Sequence, residues 1–246
     1  MFQPCAVIPV YNHETTVAAV ITAVLRCKLA CIVVDDGSSA QCAKVLADVA
    51  ASESAVTLLC HPQNRGKGAA VMTGIRFAQR SCHTHALQLD ADGQHDTADI
   101  PRFIEHAAQN PGAVIVGSPA FDASIPLRRF LARYLTHVWV AINTVSLAIE
   151  DSMCGFRVYP VAPLADLDQR YRLGSRMSFD TEVLVRLYWE GLRIINLPTA
   201  VRYPEGGISH FRGFQDTLLL SHAHAILFFG MIARLPMLLM RRRRFS

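Results

Sequence analysis

The stretch at residues 87–96, "LQLDADGQHD", sets a short apolar run against two aspartates one residue apart, with a glycine and a glutamine directly behind them. The plain reading is a surface turn, because Asp and Gly gather where a strand stops and the chain reverses. The sharper reading is a grip for a metal ion. The surroundings bear on the choice: "CAVIPV" (5–10), "CIVVDD" (31–36), "AVTLLC" (55–60), "ALQLD" (86–90) and "AVIVGS" (113–118) are runs of strand length rich in Val, Ile and Leu. Runs that are apolar throughout suit strands buried on both faces. Between them lie helix-like stretches at 14–26, where Val17, Val20, Ile21 and Val24 form one stripe, and at 40–51, 67–80 and 99–109. This alternation predicts an α/β fold, an open and mostly parallel sheet with helices on both faces, and such sheets bind ligands at the carboxyl ends of their strands. Asp35 and Asp36 close the second strand, and Asp90 and Asp92 close the fourth. Carboxylates that recur at those ends weigh against a mere turn.

With 246 residues the chain is close to the size at which a single core stops growing, so one domain with an appendage is expected. It is 51% hydrophobic and only 18% charged, with mean hydropathy +0.24, a composition that excludes disorder and points to a bilayer surface. The formal net charge of +4 is matched by Arg241, Arg242, Arg243 and Arg244 alone, so the remaining residues balance and no nucleic-acid footprint is expected. Seven cysteines, scattered and without a C-x-x-C pair, suggest reduced thiols and a cytoplasmic protein. Cys27 and Cys31 straddle a helix end and a strand start and read as packing rather than metal ligands. His222 and His224, two apart in a helical stretch, project to different faces and do not suggest zinc.

Two common nucleotide-binding signatures are missing. "PVYNHETT" stands after the first strand where a dinucleotide fold would carry G-x-G-x-x-G, and "NRGKGAA" (64–70), although it opens a helix whose N–H groups can face an anion, lacks P-loop spacing. The motifs "VIPVYN", "IVVDDGSS", "NRGKGAAVMTGIRFA", "LQLDADGQHD", "VIVGS" and "DSMCGFRVYP", in this order, instead resemble the family 2 glycosyltransferases, nearest the dolichyl- or polyprenyl-phosphate sugar synthases. The resemblance covers about residues 5–210. It implies a GT-A fold, a UDP- or GDP-linked sugar donor, and inverting transfer to a lipid or lipid-phosphate acceptor. Pro9, Tyr11 and Asp36 then map to the positions that hold base and ribose.

In that setting Asp90, Ala91 and Asp92 form a D-x-D segment. Residues two apart at a strand end share a side, so both carboxylates can enter the crevice, where Mg²⁺ or Mn²⁺ would join them to a donor diphosphate; Gln94 resembles a third ligand. Asp151 is the first candidate for a general base or acceptor contact and Glu182 the second, with a charged helix end or ion pair as the plainer reading of both. A lipid phosphate would need no base, being already an anion. Where the synthases carry an arginine after "GS", this chain has Pro119, so a phosphate clamp must come from Arg128, Arg129, Arg133 or Arg157. Further on, a G-x-S-K of the family becomes Gly207-Ile208-Ser209-His210, flanked by Arg202 and Arg212, and His13 stands in place of a glutamate. The tail at 213–246 is apolar and ends in the four arginines, but His222, His224, Arg234 and Pro236 interrupt it; an interfacial helix pair, peripheral on the inner face of the cytoplasmic membrane, is expected beside a catalytic domain at 1–212. A membrane-held binding or scaffold protein and a nucleotidyltransferase are the other readings open on sequence alone.

Overall fold

The computed structural model describes residues 1–120, 127–171, 173–201 and 213–245, and side chains over the same residues except 127–132, 213–216 and 242–245. Four parallel strands form one half of the sheet: β1 (Pro4–Val10), β2 (Ala30–Asp35), β3 (Val56–Cys60) and β4 (His85–Gln88). Joining them are α1 (Val17–Arg26), α2 (Ala40–Ser52) and α3 (Lys67–Arg80). After β4 come α4 (Ile100–Gln109), β5 (Ala113–Ala120), α5 (Leu127–Thr144), β6 (Arg157–Pro160), α6 (Val161–Arg170), α7 (Phe179–Trp189), β7 (Arg193–Ala200) and α8 (Gly213–Phe245). The strand order is β3-β2-β1-β4-β6-β5-β7. β6 runs antiparallel to both neighbours, and β5 and β7 pair in parallel.

Strand parity builds two cores. Side chains alternate across a sheet, so Cys5, Val7, Ile32 and Val34 face α3 and the later helices, whereas Ala6, Ile8, Cys31 and Val33 pack with the α1 residues Val17, Val20, Ile21 and Val24. The apolar stripe expected on α1 is the one buried. Ala86, on the α3 side, is followed at the same parity by Gln88, fully buried, and then by Asp90. The fourth strand stops at Gln88, earlier than the sequence suggests, although Leu89 N still donates to Val7 O at 3.2 Å. Both aspartates therefore stand on the turn beyond the ladder.

The tail departs from expectation. Instead of a pair of helices it forms the single helix α8, with Pro236 inside it. Proline lacks the N–H for its i−4 bond and costs an interior helix on the order of 3 kcal/mol. Docking on both sides of the break offsets this: Leu227, Met231 and Leu238 are buried in the same cluster as Val140 of α5 and Leu187 and Trp189 of α7. Arg234, a charge in the middle of the apolar tail, donates to Tyr171 Oη at 2.9 Å and lies over the Trp189 ring at 4.8 Å. Arg241, expected to meet lipid, donates instead to the Tyr188 and Trp189 carbonyls at the C-terminal end of α7.

Candidate active site

Because β6 runs against its neighbours, the loop that precedes it joins the loops leaving β1, β2, β3 and β4 at one end of the sheet. Bonds between loops hold the rim. Asn12, in the left-handed region at φ 56°, donates its N–H to Ser38 Oγ at 3.1 Å and accepts from Ser39 N at 2.7 Å. Ser38 N donates to Asp35 Oδ1, and Thr16 Oγ1 donates to Ala91 O at 2.6 Å. Pro9 is buried within β1 and Tyr11 is half-buried at its exit.

Asp36 is turned inward. It is 2% exposed; its Oδ1 meets His61 Nδ1 at 2.7 Å and accepts from Arg65 N at 2.9 Å, while Oδ2 accepts from Gly66 N at 2.7 Å. Rather than offering free oxygens to a ribose, the carboxylate ties the loop before α3 to the end of β2. Gly66 opens that helix at φ 102°, a conformation that favours glycine.

The centre of the mouth is a charge cluster that the sequence only half reveals. Lys67, the first residue of α3, places Nζ 2.8 Å from Asp90 Oδ1, 3.0 Å from Asp90 Oδ2 and 2.8 Å from Asp180 Oδ2 of α7. Burial opposes the ammonium charge, but Asp180 and Asp90 outweigh it and hold Lys67 above the usual lysine range. Burial likewise works against the Asp90 charge, and Lys67 with His95, whose Nε2 is 3.8 Å away, overcomes it and brings Asp90 below the usual carboxylate range. Asp92 shifts the other way, raised by burial and then by the Asp90 charge. Two oxygen-bearing groups close enough to repel fit a hard dication, which would relieve the repulsion. Asp92 Oδ1 accepts from Gln94 N at 3.0 Å, and Gln94 is half-buried beside it. Among the described residues, no group of three or more His, Cys, Asp or Glu is placed to hold a metal ion. Any such ion would therefore draw on Gln94 or on oxygens from outside the protein.

Gly155 explains part of the "DSMCGFR" motif. A Cβ there would fall 2.6 Å from Asp90 Oδ1 and nearer still to Oδ2, so the bare backbone is what lets the carboxylate sit in place.

Three further candidates have their charged groups engaged by neighbours in the structure. Arg157 does not reach the mouth: it is fully buried and donates to Cys154 O at 2.6 Å, Ser152 O at 2.7 Å, Asp180 O at 2.7 Å and Tyr159 Oη at 3.0 Å. It braces the loop before β6 from beneath. Glu182 is an ion pair, its Oε1 accepting from Arg186 Nε at 2.8 Å and its Oε2 from Gly174 N at 2.8 Å. Asp151 is adjacent to the mouth but its oxygens are engaged: Oδ1 accepts from Met153 N and Cys154 N at 2.7 and 2.8 Å, and Oδ2 pairs with Arg133 Nε, with His137 Nε2 at 3.7 Å. Arg128 and Arg129 belong to α5, but their side chains lie outside the described residues, as do Arg202, His210 and Arg212.

The profile of the family described as "Glycosyl transferase family 2" matches residues 5–158, more than half of the chain and all of the mouth's loops except those at Asp180 and beyond. The chain belongs to glycosyl transferase family 2. Among relatives of this family 2 enzyme is the UDP-N-acetylglucosamine–dolichyl-phosphate N-acetylglucosaminyltransferase of Methanococcus voltae, 26% identical over 81% of this chain and 85% of that one. A dolichyl-phosphate beta-glucosyltransferase of Trichomonas vaginalis is 31% identical over 63% of this chain and 48% of its own length, so the chain spans about half of that relative. In structure it resembles the glucosyl-3-phosphoglycerate synthase of Mycobacterium tuberculosis solved with Mn²⁺ and UDP-glucose, with a TM-score of 0.65, 14% identity, and coverage of 94% of this chain and 79% of that one. At such identity the likeness is one of fold. The family 2 glycosyltransferase has the GT-A architecture, and a scaffold or nucleotidyltransferase reading gives way to that of a glycosyltransferase.

Proposed function

We propose that this enzyme transfers a sugar, with inversion, from a UDP- or GDP-linked donor to a lipid-phosphate acceptor at a membrane surface. The observation that carries the reading is the two-sidedness of α5. Its inner side brings Arg133 and His137 onto Asp151 at the mouth, while Tyr134, Leu135, Val138, Trp139 and Ile142 are exposed. Beside it, α8 exposes Leu218, Leu219, Ile226, Phe229, Ile232, Leu239 and Met240. Thr217–Arg241 is long and apolar enough to cross a membrane. Because Arg234 and Arg241 are bound to the catalytic domain, we favour a helix lying in the interface, on the cytoplasmic face, with its outer side in the headgroup region. Arg133, which α5 brings onto Asp151, would then receive the acceptor phosphate as a charge-assisted partner.

Asp90, Asp92 and Gln94 would hold Mg²⁺ or Mn²⁺. When bound, that ion supplies positive charge to the departing nucleotide diphosphate. The rim from Pro9 and Tyr11 to Asp36 forms the nucleoside end, with Asp36 setting the loop that shapes it. A single displacement by a phosphate oxygen needs no proton acceptor, which suits an Asp151 and a Glu182 whose oxygens are already engaged. The test is transfer from radiolabelled UDP- and GDP-sugars, with Mn²⁺ or Mg²⁺, into polyprenyl phosphate in mixed micelles. Chelator-sensitive label in the lipid fraction is expected. Label appearing only in free sugar or in soluble phosphate esters would refute the acceptor assignment.

A further inference from the structure

The metal reading of Asp90 and Asp92 leaves Lys67 unexplained, and the role inferred for this lysine rests on that reading. A lysine ammonium sits on both oxygens of the first D-x-D carboxylate, at 2.8 and 3.0 Å. Its other contact, Asp180, is fixed: Asp180 Oδ1 accepts from Gln88 Nε2 at 3.1 Å, its backbone carbonyl accepts from Arg157, and its side chain is 4% exposed. Gly155 closes another side of Asp90. A dication arriving alone would meet a carboxylate already neutralised, next to a like charge in a partly dry site where that repulsion is weakly screened. It would also find few protein ligands, since the described residues supply no group of three acidic or imidazole donors there. A nucleoside diphosphate removes both obstacles. Its phosphate oxygens complete the ion's shell, and its negative charge gives the ammonium, at the first turn of a helix with no side-chain N-cap, a second anion to face.

We infer that Lys67 is the resident counter-ion of Asp90, pivoting on Asp180, and that it makes cation binding depend on the donor: the divalent ion enters with the nucleotide diphosphate and not before it. Lys67 then turns from Asp90 to the phosphates while Asp180 keeps hold of it. The four charges Asp90, Lys67, Asp180 and Arg157 sum to zero before binding, and the incoming ion and diphosphate add opposite charges together.

Mn²⁺ titration of the full chain, read by the electron paramagnetic resonance signal of free Mn²⁺, tests this without reference to turnover. The wild type is expected to bind Mn²⁺ at least about tenfold more tightly with UDP or GDP present, after subtraction of Mn²⁺ held by the nucleotide alone. Removing Lys67 strands the Asp180 charge, so the variant of choice is the pair Lys67→Met, Asp180→Asn, which keeps the charge sum at zero. It should bind Mn²⁺ without nucleotide at least about tenfold better than the wild type, and the nucleotide effect should shrink. Equal wild-type affinity with and without nucleotide overturns the inference, and needs no variant to fold. So does wild-type nucleotide-free affinity in a pair variant that melts cooperatively. Absence of Mn²⁺ binding under every condition, nucleotide included, sinks the metal reading itself and the inference with it, a result distinct from the other two.

Discussion

Replacing Gly155 by alanine adds one methyl group at the most crowded point of the mouth. The new Cβ would lie 2.6 Å from Asp90 Oδ1 and closer to Oδ2, against an ordinary contact that begins at 3.4 Å. The opposing atoms belong to a carboxylate clasped by Lys67, so the side chain must retreat by about 1 Å and carry that ion pair with it. A displacement of about 1 Å in a positioned group costs on the order of 10²-fold in rate, and overpacking a well-filled site costs about 1–3 kcal/mol. For a chain of this size that corresponds to a melting temperature lower by roughly 2–12 °C, which leaves the protein folded at 25 °C. The expected result is therefore a folded enzyme whose kcat/KM for donor has fallen about a hundredfold, measured by initial rates of transfer alongside thermal melting. Transfer within threefold of wild type, in a protein that melts normally, would mean that Asp90 does not need its present position and that the close packing at Gly155 is incidental.

Asp92→Asn should abolish transfer yet stabilise the metal-free protein. Burial and Asp90 raise the Asp92 carboxyl in the folded state, so its ionisation works against folding as pH rises above the usual aspartate range; the gain in melting temperature should be present at pH 7 and fade as pH falls below that range, where the wild-type group is protonated in both states. Arg157→Met should cost about 3–5 kcal/mol in urea unfolding by stranding buried acceptors, whereas a phosphate clamp would show a raised donor KM and an unchanged midpoint. On α8 the two sides should separate cleanly: Leu227→Ala, fully buried, lowers stability by about 2–5 kcal/mol, while Phe229→Glu with Ile232→Glu leaves the melting temperature in place and releases the protein from anionic vesicles in a flotation assay. Vesicle binding unchanged by the outer pair would move the membrane contact away from α8.

The order of strands and helices through β5 is legible in the chain because each side chain's face follows from its parity, and "CAVIPV" and "CIVVDD" are apolar on both. The D-x-D pair is visible for the same reason. What the sequence hides is pairing across distance. Lys67, Asp90 and Asp180 come from three elements, and no periodicity links them; the only hint is a lysine at the opening of α3, in a stretch whose backbone donors draw the eye first. Glu182, named from the sequence, and Asp180, which was not, show how fine the margin is. Two residues apart on α7 they point about 160° apart, one to Lys67 at the mouth and the other to Arg186 and Gly174, so neighbouring acids on one helix serve opposite faces. The burial of Arg157 is not legible in the sequence, because "RVYP" is only four residues long and nothing in so short a run marks it as lying between β4 and β5, where both faces are covered.

The lacing of the rim has a consequence for how this mouth can change. Asn12 is bound to Ser38 and Ser39, Ser38 to Asp35, Thr16 to Ala91, and Asp36 to Arg65 and Gly66, so that four loops share their hydrogen-bonding partners. Substitutions in such a ring do not act independently, because each leaves a partner on another loop unsatisfied. Donor preference in this enzyme should then shift by blocks: Asn12 altered with Ser38, or Asp36 with His61, should be tolerated better than either member alone, and a library that varies one loop at a time would miss the variants that accept a different base.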